Sequence, residues 1–351
     1  MTFNLDKLVR ENVKNLVPYS SARKEFAGAA EIFLDANENS FGSPTEKSFN
    51  RYPDPLQTKI KERISGWRDL SLEQIFIGNG SDEAIDLLFR VFCQPGNDEI
   101  ITTPPTYGMY EVSANINDVR VKKVLLSPDF ELSAEKVLDA VSENTKLIFL
   151  CSPNNPTGNS LDEKEVLKIL KNFGGIVVVD EAYEDFSEKP SFVNKIRNFP
   201  NLVVLQTFSK SWGLAGLRVG IAFANAEIIK LLNKVKPPYN VSQIAQETLL
   251  AALDKKAEVE KFVAEIVRQR ELLAAELQKF SFVTRIYPSD ANFLLIKTSD
   301  ANPIYKYLVE QKIVVRNRTN VELCEGCLRI TIGTPEENRT LLSVLSSYEN
   351  N

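Results

Sequence analysis

Three neighbouring stretches, KLIFLCSPNN (residues 146–155), GIVVVDEAY (175–183) and NLVVLQTFSK (201–210), each cross at least four consecutive apolar residues and then stop at a polar group. Short apolar runs rich in β-branched residues read as strands buried on both faces, the pattern of a parallel sheet with helices above and below. Working outward, IFIG (75–78) precedes the helical pattern SDEAIDLLFRVF (81–92), and DEIITT (98–103) precedes TYGMYEVSANI (106–116). KLIFLCSPNN likewise precedes DEKEVLKILKNF (162–173), and RVGIAFA (218–224) supplies a further strand. Strand and helix in alternation predict βαβ units.

The expected fold class is therefore α/β, a large domain over residues 45–240 with a mostly parallel central sheet flanked by helices. Pro237 and Pro238 interrupt the pattern, and an amphipathic stretch from Ser242 to Phe280 follows as one or two helices. NFLLIKT (292–298), KIVVRNR (312–318) and CLRITIG (327–333) then read as strands, with TPEENRTLLSVLSSY (334–348) as a closing helix. These place a smaller α/β domain over 241–351, and residues 1–44 form an N-terminal arm and part of that small domain. Length agrees, since 351 residues exceed what a single core usually organises.

Composition removes several function classes. A net charge of −5, with basic residues scattered among acidic ones, provides no stripe for a nucleic-acid backbone. The opening MTFNLDKLVRENVKNLVPYS lacks a continuous apolar core, and nowhere do 18 apolar residues run together, so a cytoplasmic protein without membrane partners is expected. The chain has no histidine, which removes the commonest metal ligand and the commonest general base. Cys324 and Cys327 form a CxxC without a second pair, so they read as unmetallated thiols near a strand, and no metal site is expected.

The polar groups that end the apolar runs carry the chemistry. Asn155, Asp180, Tyr183 and Lys210 would meet in the crevice outside the carboxyl ends of the strands, where open α/β sheets bind ligands. Around Lys210 the chain reads TFSKSWGLAGLRVG (207–220), with small residues that admit a ligand and with Ser209 and Arg218 as phosphate donors. Asp180 would hold a proton on a pyridine nitrogen, because a nearby anion favours the cationic form. IGNGSDEAIDLLF (77–89) places Ser81 and Asp82 at a helix start, where free N–H groups favour phosphate. An amine able to form a Schiff base, a carboxylate at a strand end and clustered phosphate donors are together what pyridoxal phosphate requires. Tyr107 could stack on a flat ring, and Arg316 and Arg329 carry guanidinium forks suited to carboxylate or phosphate.

These motifs resemble the class I and II aminotransferases of pyridoxal-phosphate fold type I and, within them, the histidinol-phosphate aminotransferase branch. The resemblance runs through PYSSAR (18–23), LDANEN (34–39), NRYPD (50–54), GNGSDE (78–83), PPTYGMY (104–110), SPNNPTG (152–158), VDEAYEDF (179–186), VVRNR (314–318) and CLRITIG, in order. It implies Lys210 as the Schiff-base lysine, Asp180 on the pyridine nitrogen, Asn155 and Tyr183 on the ring hydroxyl, and Tyr107 stacked on the ring. It implies Ser81, Asp82, Ser209 and Arg218 around the cofactor phosphate, with Tyr52 reaching that phosphate from the other subunit of a homodimer with shared active sites. Arg329 matches the position that holds the substrate α-carboxylate, Tyr19 and Arg316 lie near the substrate phosphate, and Asn37 lies where the family covers the substrate. The implied reaction is transamination between histidinol phosphate and 2-oxoglutarate, with Lys210 moving the Cα proton.

Threonine-phosphate decarboxylase and aromatic amino-acid aminotransferases share every cofactor motif and stand as alternatives. An aminotransferase-like sensor would need a DNA-binding module, and only a short mixed-charge arm precedes Tyr19. A nicotinamide dehydrogenase is disfavoured because GNGSDE lacks the GxGxxG spacing.

Overall fold

The computed structural model describes residues 3–19 and 32–350. A seven-stranded sheet forms its centre, in the order β1-β7-β6-β5-β4-β2-β3. The strands are β1 (Ile75–Asn79), β2 (Glu99–Thr102), β3 (Arg120–Lys123), β4 (Thr145–Cys151), β5 (Ile176–Asp180), β6 (Leu202–Thr207) and β7 (Val219–Ala224). Pairing is parallel from β3 through β6, whereas β7 runs antiparallel to both β6 and β1. The expectation of a mostly parallel sheet thus meets one reversed strand, and chain length explains it. Only residues 208–218 join β6 to β7, too few for the helical crossover that two parallel strands need.

Alternate residues of β5 feed two separate cores: Val177 and Val179 pack on one side of the sheet, Ile176 and Val178 on the other. Helices close both faces. In chain order they are α1 (Thr58–Arg68), α2 (Gly80–Phe92), α3 (Met109–Ile116), α4 (Ala134–Asp139), α5 (Glu163–Asn172) and α6 (Ala226–Val235). The first core draws Ile60 and Ile64 from α1 and Val166 and Ile169 from α5; the second draws Ile85, Leu88 and Phe89 from α2 and Ile228 from α6.

The stretch beyond Pro238 forms two helices, α7 (Gln243–Leu253) and α8 (Lys256–Leu277). A second, four-stranded antiparallel sheet follows, in the order β10-β11-β9-β8, from β8 (Val283–Ile286), β9 (Phe293–Thr298), β10 (Arg316–Asn317) and β11 (Cys327–Thr331). Its core is shared with α8, α9 (Ala301–Glu310) and α10 (Pro335–Glu349) through Leu273, Leu277, Ile304, Leu308, Leu341 and Leu345. The predicted strand KIVVRNR shrinks to Arg316–Asn317, because Lys312 takes a left-handed φ of 64° after α9 and leaves Val314 78% exposed. Cys324 and Cys327 are buried free thiols, Cys327 opening β11 and Cys324 in the turn before it. Among the described residues no helix is long and apolar enough to cross a membrane.

Candidate active site

Parallel register decides where the functional groups gather. Cys151 at the end of β4 pairs with Asp180 at the end of β5, and Asp180 pairs with Leu205 of β6, so three carboxyl ends lie side by side. Just beyond them opens a cavity of about 880 Å³. Asn155, Asp180, Tyr183 and Lys210 all line it, together with Ser81, Asp82, Tyr107, Ser209, Arg218, Arg316 and Arg329.

Asp180 is 2% exposed, and its two carboxylate oxygens take hydrogen bonds from the Tyr110 hydroxyl at 2.6 Å and the Ala182 N–H at 3.1 Å. Burial outweighs both bonds and pushes its pKa up to about 6. Lys210 is open to the cavity, with Nζ 5.5 Å from the Tyr183 ring centroid. Burial first and the positive charge of Arg329 second pull its pKa below the usual lysine range, against the opposing pull of Asp180. The Tyr183 hydroxyl accepts from Asn155 Nδ2 at 3.4 Å, and Asn155 Oδ1 accepts from an Arg329 Nη. One hydrogen-bonded chain therefore links the strand-end residues of the large sheet to β11 of the small one.

On the other side of the cavity, β7 and α2 build an anion cradle. Arg218 adopts a left-handed φ of 54°, and its carbonyl accepts from Gly80 N–H at 2.9 Å, which brings the first turn of α2 against the start of β7. Gly220 makes this approach feasible, since a Cβ there would stand 2.2 Å from the Ser81 nitrogen. The Asn79 side chain makes no capping bond at the N-terminus of α2, and the first residues of that helix, Gly80, Ser81 and Asp82, line the cavity and bring the positive end of its dipole there. Arg218 reaches Ser209 Oγ at 3.5 Å and Asp82 Oδ2 at 3.4 Å, and Asp82 also accepts from the Tyr107 hydroxyl at 3.2 Å.

Three expected site residues lie apart from this cavity. Tyr52 and Asn37 share a separate surface cleft, where the Tyr52 ring stacks on Tyr239 at 4.4 Å, and Asn37 holds a left-handed φ of 55°. Tyr19 is 75% exposed, and Ser20–Arg23 of the PYSSAR motif lie outside the described residues. Among the cavity residues not anticipated are Tyr110 and Arg318. Tyr110, fully buried, meets Tyr107 edge-on at 5.5 Å and donates to Asp180. Arg318 lines the cavity beside Arg316 and Arg329. Tyr107 lies just before α3 and Tyr110 in its first turn, and the Tyr110 N–H donates to the Tyr107 carbonyl at 3.4 Å.

Fold and cavity together define a class, the fold-type I architecture with its site at the carboxyl edge of a mostly parallel sheet. The chain belongs to the aminotransferase class I and II family, whose model matches residues 31–345. It is 54% identical over 348 residues to a histidinol-phosphate aminotransferase of Cytophaga hutchinsonii, covering 99% of this chain and all of that one. A histidinol-phosphate aminotransferase of Parabacteroides distasonis is 56% identical over 346 residues, covering 99% of both chains. Among solved structures, the histidinol-phosphate aminotransferase of Clostridium acetobutylicum superposes with a TM-score of 0.80 at 25% identity, covering 86% of this chain and 92% of that one. The enzyme of Sinorhizobium meliloti, solved in complex with pyridoxal-5'-phosphate, shares the fold with a TM-score of 0.79 at 22% identity and 90% coverage of each chain.

Proposed function

We propose that this chain catalyses transamination between histidinol phosphate and 2-oxoglutarate, giving imidazole acetol phosphate and glutamate, with pyridoxal 5'-phosphate as cofactor. The observation that carries the cofactor is Asp180, a buried carboxylate whose hydrogen-bond donors are both neutral. A cationic ring nitrogen is the partner that would keep it ionised. The cradle of Ser81, Ser209, Arg218 and the α2 N-terminus suits the cofactor phosphate. Asp82 is a carboxylate already engaged by Arg218 and Tyr107, so its contribution to a phosphate would be its backbone N–H. Near-complete alignment with relatives named for histidinol phosphate supports the substrate.

Bound pyridoxal phosphate supplies an electron sink that makes the substrate Cα–H acidic. This chain's residues do the rest. Lys210 would be the residue that holds the cofactor through its amine. Its depressed pKa favours the neutral amine, whose Nζ then takes the Cα proton. Tyr183 and Asn155 would hold the ring hydroxyl, Tyr107 would cover the ring, and Arg329 and Arg316 would bind the substrate anions. Tyr19 would lie near the substrate phosphate, and Asn37 would cover the substrate.

Tyr52 lies outside the cavity of its own chain, which supports a homodimer in which it serves the partner's cofactor phosphate. Exposed Leu34 (84%), Phe41 (104%) and Ile244 (54%) lie on or near the segments that line the Tyr52 cleft, an apolar surface of the kind that marks an interface. Sedimentation equilibrium should give twice the 39.5 kDa chain mass, and a monomer would end this reading. The same proposal divides the chain into an arm and part of the small domain (1–44), a large domain (45–240) and a small domain (241–351), with the cavity between the two sheets, and places the enzyme in the cytoplasm.

The substrate is tested by mixing the cofactor-loaded protein with histidinol phosphate and no 2-oxo acid. Loss of the cofactor's visible band with imidazole acetol phosphate released is expected. An unchanged spectrum removes the substrate, and release of CO2 when threonine phosphate is supplied in place of histidinol phosphate points instead to a decarboxylase.

A further inference from the structure

Six cationic side chains and four carboxylates line the cavity, and three of the cations stand together on the small sheet. Arg316 of β10 pairs directly with Arg329 of β11. Arg318 lies two residues beyond Arg316, and its N–H still donates to the Cys327 carbonyl at 2.9 Å, so strand alternation turns all three guanidinium groups toward one side. Among the described residues, no carboxylate lies within 4.0 Å of any of the three, although Glu322 borders the same cavity. The Nε atoms of Arg318 and Arg329 are both buried without an acceptor. Burial first, then Arg329 and Arg316, hold the Arg318 pKa down at about 10, still protonated at neutral pH. Three like charges held together without a counter-ion describe a receptor for a multiply charged anion.

Substrate chemistry separates the roles. Arg329 is anchored by Asn155 and by the Phe293 ring, 5.1 Å from its guanidinium carbon. Arg329 and Arg316 supply one fork each for the two carboxylates of a dicarboxylic acid. A phosphate monoester concentrates up to two charges on three oxygens at one point, and two forks leave an oxygen without a charged donor. We propose that Arg318 is a further substrate-binding residue that adapts the cavity to a phosphate monoester dianion in preference to a carboxylate. The inference rests on the transamination reading and deepens its substrate specificity.

The test compares cofactor-loaded wild type with Arg318→Gln and Arg318→Lys in each half-reaction separately, histidinol phosphate alone and glutamate alone, followed by the cofactor's visible band. Calorimetry with inorganic phosphate on the same loaded proteins gives a readout free of turnover. In Arg318→Gln, half-saturation for histidinol phosphate should rise about 10- to 100-fold, with less than about 3-fold change for glutamate. Phosphate affinity should fall in parallel, and Arg318→Lys, which keeps the charge and the fold of the strand, should recover part of both. Equal loss with both substrates, no loss with either, or no recovery by Lys overturns the role of Arg318. A wild type that responds to glutamate and not to histidinol phosphate overturns the substrate reading as well, a result distinct from failure at Arg318 alone.

Discussion

Lys210→Ala is expected to reduce transamination by about 10⁴-fold or more and to abolish the visible band of the lysine-bound cofactor. Two separate contributions are lost. One is the covalent hold on the cofactor, the other the base that carries the Cα proton. Lys210→Arg distinguishes this from a simple loss of positive charge. A guanidinium keeps the charge beside Asp180 but stays protonated and cannot serve as a neutral amine, so its activity should resemble that of the alanine variant. Lys210 is suited to the task because the cavity desolvates it and Arg329 repels its proton, both of which favour the neutral form. Near-wild-type turnover in either variant would remove Lys210 from the chemistry and the proposed mechanism with it.

Burial explains which parts of this fold were legible in the sequence. The strands β4, β5 and β6 are covered on both faces, so they had to be almost wholly apolar, and they announced themselves. The two strands that went unread, Arg120–Lys123 and Val283–Ile286, are the outer strands of their sheets. RVKK carries three charges and a single valine, as suits an exposed edge that must not pair with another chain. Its strand character comes from pairing with β2, which no local pattern encodes. The reversal of β7 was readable in principle from the short connection of residues 208–218.

The site divides along the same line. Asn155, Asp180 and Lys210 follow legible strands, and a parallel register brings their ends together without further information. Arg218 meets Gly80 and Asp82 because Gly220 lets α2 approach β7, a tertiary contact between segments far apart in the chain. Tyr110 has the appearance of an ordinary core aromatic, and only its 2.6 Å bond to Asp180 distinguishes it. Arg318 is similarly masked by Arg316 two residues earlier, since a second arginine on a short strand reads as surface charge until the cavity is seen.

Asp180→Asn should lower turnover by about 10³-fold while leaving the fold and the size of the side chain intact. The amide still accepts from Tyr110 or Ala182, but it carries no charge to hold a proton on the ring nitrogen, so the electron sink weakens. The pH dependence gives an independent signature. The folded pKa of Asp180 is raised from 3.8 to about 6, so between those values the folded apoprotein binds more proton than the unfolded chain does. This group therefore adds stability as the pH falls from about 6 toward 4, and removes it as the pH rises through 6. Cofactor binding runs the other way, because the carboxylate must lose its proton to pair with a cationic ring, and affinity should weaken as the pH drops below about 6. Asn titrates at neither end, so the variant should flatten both slopes, read by thermal melts of the apoprotein and by cofactor titration across pH 4.5 to 8. An Asp180→Asn protein that keeps the wild-type pH dependence in both measurements would place the titrating group elsewhere and leave Asp180 as a structural acceptor for Tyr110.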